Sequence, residues 1–211
     1  MLCCGMRLKR AAFCLLLLFA LLPAAVAWQD EPARAEPAGL YQGQLLVATP
    51  DNPDPRFRET VIYMVRHTAK SSFGIVINKP YGKGPLANMM NGLGLDPADA
   101  GGNLQLHYGG PVAVNHVFFL HSSDYAHETS RDIDGTVSFT KDVKILSALA
   151  SGKGPRHLIA AAGYAGWSEQ LLEREIERGY WTLAQPDEQL VFGGDKASLW
   201  QRVSGNANVP L

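Results

Sequence analysis

Four histidines, His107, His116, His121 and His127, fall within 21 residues of one another. Imidazole binds metals and moves protons near neutral pH, so the cluster is weighed first. His116 and His121 stand five apart on one expected strand, which points their rings to opposite faces. No H-x-H or H-E-x-x-H pattern and no carboxylate at ligand-like spacing accompanies them. The expectation is surface and strand-end histidines rather than a metal centre. The run His121-Ser122-Ser123-Asp124 holds the residue types of a hydrolase triad. Triad members are brought together from distant segments, and adjacent residues in an extended loop cannot aim at one another. No G-x-S-x-G elbow occurs, so a polar turn is expected. A hydrolase or metal-dependent enzyme using these histidines with Asp124 or Asp142 stays open as the alternative.

Two glycine-containing runs remain. Ser151-Gly152-Lys153-Gly154-Pro155 suggests a phosphate loop, yet it follows an expected helix and lacks the G-x-x-x-x-G-K-[ST] spacing. A helix cap running into a turn accounts for the same residues. Gly163-Tyr164-Ala165-Gly166-Trp167 is expected at a strand-to-helix turn. Its aromatic side chains serve either the core or the wall of a groove, and core packing is the reading preferred. No motif asks for a cofactor.

The elements that must position these residues read as strands first and helices mostly later, which favours an α+β domain over a doubly wound parallel sheet. Strands are expected at Gly43–Thr49, Thr60–Arg66, Phe73–Asn78, Leu104–Tyr108, His116–His121, His157–Ala162 and Tyr180–Leu183. The second and third form a hairpin through the link His67–Ser72. Asp51–Pro55 is a loop, because its prolines and turn-forming side chains sustain neither regular element. Helices are expected at Leu86–Leu93, Lys141–Ser151 with Thr140 as its cap, from Ser168 to Gly179, and at Ala197–Val203.

Arg7, Lys9 and Arg10, the apolar block Ala11–Leu22 and the small triplet Ala25-Val26-Ala27 have the layout of a secretory signal peptide. Cleavage is expected after Ala27, or after Ala35, delivering the chain to the periplasm or beyond. Cys3, Cys4 and Cys14 all lie in this segment, so the exported body has no disulfide, thiolate metal site or cysteine nucleophile. Losing the three basic residues takes the formal charge from −1 to −4. Such a body exerts no net pull on nucleic acid or an anionic membrane. The organisation expected is a signal peptide at 1–27, a flexible tether at 28–42, one domain at 43–205 and a tail at 206–211.

Together these segments resemble the YqgE/AlgH family. The likeness rests on Gly43-Gln44-Leu45-Leu46-Val47-Ala48-Thr49-Pro50, on Asp54, Phe57, Thr60-Val61-Ile62-Tyr63 and His67, and on Gly74-Ile75-Val76-Ile77-Asn78-Lys79-Pro80. It continues through Gly109-Gly110-Pro111-Val112 and Gly163-Tyr164-Ala165-Gly166-Trp167. It implies a single α+β domain whose bent, bifurcated β-sheet forms a pseudo-barrel with packed helices, and no established catalytic mechanism. Some members carry the label of transcriptional regulator, but no helix-turn-helix or basic face is visible here.

The chain departs from the family pattern in two places. Members usually begin near the Gly-Gln strand, without a leader. The usual small-Pro-Gly-Gln-Leu-Glu sequence after the tryptophan is replaced by Ser168-Glu169-Gln170-Leu171-Leu172-Glu173, with Gln170 in the glycine position and a different local turn expected. From the family motifs we expect a binding cleft lined by His67, Asn78, Lys79, Gly110, Tyr164 and Trp167. Its partner would be an envelope protein or other envelope component, in a non-enzymatic exported domain. Turn and barrel-holding roles for the same residues are the competing explanation.

Overall fold

The computed structural model describes residues 39–97 and 100–205. The expected signal peptide, the expected tether up to residue 38 and the expected tail at 206–211 lie outside the described residues. Residues 39–42, which precede the expected domain start at 43, already make contacts with it. The Gln42 amide donates to the Gly39 carbonyl, the Gln44 amide donates to that of Tyr41, and the Tyr41 ring lies 4.7 Å from that of His67.

The strands are β1 (Leu45–Ala48), β2 (Val61–His67), β3 (Ser71–Val76), β4 (Pro80–Pro85), β5 (Asn103–Tyr108), β6 (Val112–Ser122), β7 (Arg131–Asp132), β8 (Val137–Thr140), β9 (Leu158–Ser168) and β10 (Trp181–Ala184). Between and after them run α1 (Leu86–Gly92), α2 (Ile145–Ala150), α3 (Leu171–Glu177), α4 (Glu188–Phe192) and α5 (Leu199–Ser204). The main sheet path is β10-β1-β2-β3-β9-β6-β8-β7, with β4 and β5 branching from β9. All pairings are antiparallel except β5 with β9. The domain is α+β, a curled half-barrel sheet with a few short helices.

β1 and β2 explain how one sheet serves two cores. Both are β-branched and aliphatic runs with almost no exposed residue, as strands covered on both faces should be. Alternation sends Leu45, Val47, Val61, Tyr63 and Val65 into one core, beside Val191 of α4 and Leu199 and Val203 of α5. It sends Leu46, Ala48, Ile62 and Met64 into the other, beneath Leu172 of α3. A third cluster joins Leu86 and Met90 of α1 to Ile145 and Leu146 of α2 over Phe119 and Ala160.

β9 is where the sheet divides, and it corrects the expected strand-to-helix turn at Gly163–Trp167. The strand runs unbroken through that segment to Ser168. Its first half pairs with β5 and β6 and its second half with β3. Gly163, at φ +75°, changes the phase of the alternation. Before it Ile159 and Ala161 face the first core; after it Tyr164 faces that core and Ala165 and Trp167 the second. The element therefore kinks at glycine without ending.

The expected helix at Lys141–Ser151 begins later, at Ile145. Thr140 accepts the Asp142 amide, Asp142 accepts the Lys144 amide, and these stacked turns occupy the first residues. β4 (PYGKGP) was not expected from its composition. It is an exposed edge strand held by β5, with prolines at both ends and Lys83 between them, as edges that resist further pairing usually are.

Candidate functional site

The six expected cleft residues do not converge. His67 closes β2 at the hairpin tip opposite Ser72, whereas Asn78 and Lys79 follow β3 at its other end. The length of β2 separates them, roughly 20 Å at strand rise. The His67 Nδ1 shares a 2.9 Å hydrogen bond with Ser72 Oγ, and its Nε2 stands 3.5 Å from Glu173 of α3. Tyr164 lies among Phe73 and Phe118, with ring centres at 4.7 and 5.6 Å, on one side of the sheet. Trp167 lies on the other side, where its indole and that of Trp181 donate to the same Glu175 oxygen, each at 2.8 Å. Gly110, at φ +147°, lies backbone to backbone against Tyr164: a Cβ there would sit 2.1 Å from the Tyr164 carbonyl carbon.

Asn78 and Lys79 lead to the site instead. The buried Asn78 carboxamide accepts the Val61 amide at 2.8 Å and donates to the Glu59 carbonyl at 2.8 Å. Lys79 Nζ donates to the Arg56 carbonyl at 2.9 Å. Burial holds the Lys79 ammonium below its ordinary pKa, against the pull of Glu59 and Asp54. Both side chains thus brace the loop between β1 and β2 from behind. Thr49 and Asn52 tie its start to the carbonyls of Gly179 and Tyr180. Asp54 accepts the Arg56 amide and caps the 3-10 turn Pro55–Phe57. The Arg56 guanidinium beside it holds that carboxyl below its usual range.

On the far side of this braced loop is an open cleft of about 360 Å³, walled by Pro50, Pro53 and Pro55, by Trp200 of α5, and by Arg58 and Glu59. The Trp200 indole N–H is spent on the Ala48 carbonyl at 2.7 Å, so the tryptophan offers its ring to the cleft and no donor. Glu59 holds φ +49°, a left-handed backbone that costs a non-glycine residue about 1 kcal/mol. A second hollow of about 270 Å³ lies between α1 and α2 beside Met90, Pro97 and Ala150. In the sequence the proline-rich loop reads as a connection and Trp200 as a docking residue, so neither marks the first cleft. The signal that could have found it is the alternation of proline with charge between two buried strands, since rigid loops on a scaffold are where binding groups gather.

The histidines are dispersed. His107 is buried beside Ala160, its Nδ1 has no hydrogen-bond partner among the described residues, and burial lowers its pKa. His121 is buried, donating from Nδ1 to the Ser122 carbonyl and accepting the Ser130 hydroxyl at Nε2, and burial lowers its pKa too. His116 is exposed, and His127 stacks on Tyr125 at the surface. Among the described residues no three His, Cys, Asp or Glu side chains gather as a metal ion would require.

Ser122 and Asp124 do meet, contrary to expectation, because the turn between them brings hydroxyl to carboxylate. The Ser122 oxygen also accepts the His157 amide, and Arg156 donates to Asp124 from its amide and its guanidinium. Burial pulls the Asp124 carboxyl up, but Ser122 and Arg156 outweigh it and hold it below its ordinary value. Among the described residues no imidazole nitrogen addresses the Ser122 hydroxyl. The Ser151–Pro155 run closes α2: the amides of Gly152 and Lys153 donate to the carbonyls of Leu149 and Ala148. Those amides are already used, and a phosphate would find neither free.

Comparison with known proteins decides the family. The profile described as AlgH-like (DUF179) matches residues 45–211. The chain belongs to the AlgH-like family. A UPF0301 protein of Methylococcus capsulatus is 38% identical over 169 residues, covering 80% of this chain and 92% of that one. One from Rhodospirillum rubrum is 39% identical over 154 residues, covering 73% and 80%. The solution structure of AlgH from Pseudomonas aeruginosa superposes with a TM-score of 0.67 at 28% identity, over 82% of this chain and 91% of that one. A crystal structure of a Corynebacterium diphtheriae protein shares the fold, with a TM-score of 0.63 at 20% identity over 84% and 91%. Membership of this AlgH-like family carries a fold and no established activity.

Proposed function

We propose that this AlgH-like chain is an exported, non-enzymatic binding domain that engages a protein or other cell-envelope component through the β1–β2 loop cleft. The observation that carries the reading is Glu59, kept in a left-handed backbone and braced by Asn78 while lining a cleft beside Arg58, whose guanidinium has no partner among the described residues. Strain of this kind persists where the surroundings enforce it, and such places are commonly functional. The dispersal of the histidines and the lack of a base at Ser122 favour binding over hydrolysis. The signal-like leader and the cysteine-free body favour export, and the acidic body without a DNA-binding motif disfavours gene regulation.

Two measurements test the reading. Alkaline phosphatase fused after Ala35 should be active, since it folds only once exported; an inactive fusion removes the export half. A photo-crosslinker replacing Pro53 should give one discrete adduct in the envelope fraction, absent when it replaces exposed Lys153. Equal labelling from both positions removes the cleft half.

A further inference from the structure

We infer that the ligand of the loop cleft presents a free carboxylate on an apolar body, as the C-terminal residue of a peptide or a free amino acid does. The inference rests on the binding reading above. It follows from which groups around the cleft are already committed. Arg56 is spent on Asp54, with contacts of 2.6 to 3.1 Å. Lys79 is spent on the Arg56 carbonyl, and its charge answers those of Glu59 and Asp54. Thr49, Asn52 and the Trp200 N–H all donate to backbone carbonyls. What remains is the Arg58 side chain, exposed at the cleft, whose guanidinium has no hydrogen bond or ion pair among the described residues.

A guanidinium offers five N–H donors in a planar fork, which matches a carboxylate with two parallel hydrogen bonds. One unengaged guanidinium beside the Glu59 carboxylate suits a monoanion better than a dianion. Glu59 would repel the second charge, but can accept the amide or ammonium N–H that adjoins a terminal carboxylate. The ring of Trp200 and the proline rings give the ligand's side chain an apolar seat that demands no polar partner. A volume of about 360 Å³ is at the small end of ligand sites, which suits a chain terminus rather than a long segment. Glycine would hold φ +49° at position 59 without strain, and among the described residues the Glu59 carboxylate makes no side-chain hydrogen bond, only a charge interaction with Lys79.

The test is two-dimensional NMR on the isotope-labelled protein with three probes: N-acetyl-alanyl-phenylalanine, its C-terminal amide, and free phenylalanine. The acid should shift the signals of residues 49–59 and the Trp200 indole, and the amide should bind about tenfold more weakly, the value of one charge-assisted pair. Arg58→Gln should bring the acid down to the amide's affinity. Glu59→Gly should make the fold more stable while weakening the acid. Tighter binding by free phenylalanine than by the peptide acid supports the carboxylate and assigns its source to an amino acid. Equal binding of acid and amide, or an Arg58→Gln variant that binds the acid unchanged, overturns the inference and leaves the Pro53 cross-link as evidence for the cleft. Silence from all three probes overturns it as well; a missing cross-link would then remove the binding reading separately.

Discussion

A Cβ on Gly109 would lie 2.2 Å from the carbonyl oxygen of Gly163, so the end of β5 and the kink of β9 cross with nothing between their backbones. The crossing is fastened on both sides. The Gly109 amide donates to Ala162 at 2.7 Å, and the Gly109 carbonyl accepts the Val76 amide at 2.9 Å. Three strands therefore meet at one glycine, and the sheet's two branches diverge from there. Every glycine of this knot is a packing requirement, and Gly163 is a conformational one as well.

Gly109→Ala should consequently destabilise the fold by about 3 kcal/mol or more, well beyond an ordinary surface change. Gly82→Ala, at an open position on the β4 edge, is the control and should change stability by less than about 0.5 kcal/mol. Urea unfolding followed by tryptophan fluorescence measures both. Equal midpoints for the two variants would show that the crossing can relax.

Gln170 makes the opposite case. It precedes α3 at φ +57° with no side-chain capping bond, in the position where the family pattern places glycine. A non-glycine residue therefore holds a left-handed backbone at this turn. Gln170→Gly should stabilise the protein by about 0.5–1 kcal/mol, the strain relieved less the flexibility gained by the unfolded chain. A thermal melt showing a lower midpoint for the variant would contradict this.

Val61–Val65 and Leu45–Ala48 were legible because runs buried on both faces leave a β-branched signature that composition alone reveals. The caps after α2 and α3 were legible in Gly152 and Gly179 for a similarly local reason. Gly163–Trp167 was not. Two glycines after an apolar strand describe a turn and a kinked strand equally well, and only pairing with β3 and β5, far away in sequence, decides between them. The site suffered the same limit. His67 and Asn78 are only eleven residues apart in the chain, but a hairpin places its tip and its exit at opposite ends.

Asn78 is placed as a brace, and its replacement should show two effects at once. Asn78→Ala strands the buried Val61 amide and frees the Glu59 carbonyl, which should cost about 2–3 kcal/mol. Amide exchange should quicken in residues 54–61 before it does in β8. Asn78→Asp keeps the acceptor for Val61 and loses the donor to Glu59, so it should fall between wild type and alanine. Uniform acceleration of exchange across the domain would mean that Asn78 holds the whole fold, with no special hold on the loop.

Lys196 supplies a pH dependence whose direction can be worked out. Its ammonium donates to the Leu190 and Val191 carbonyls at the end of α4, and burial, with Arg202 adding to it, lowers its pKa to about 8. In the unfolded chain the same amine titrates near 10.4. Between those values the unfolded chain binds a proton that the folded one does not, so this lysine's contribution to stability rises with pH through that window. It is fully present above the unfolded pKa and lost as the pH falls to about 8. Tyr41, Tyr63 and Tyr108, all raised by burial first, act in the opposite direction at higher pH, because their ionisation favours the unfolded chain. The comparison is therefore made between wild type and Lys196→Met, in which the tyrosine contributions cancel. From pH 8 to 9.5 the unfolding free energy of wild type should climb relative to that of the variant. A constant difference across that range would mean that Lys196 keeps its ordinary pKa and that the carbonyls of α4 stabilise its charge in full.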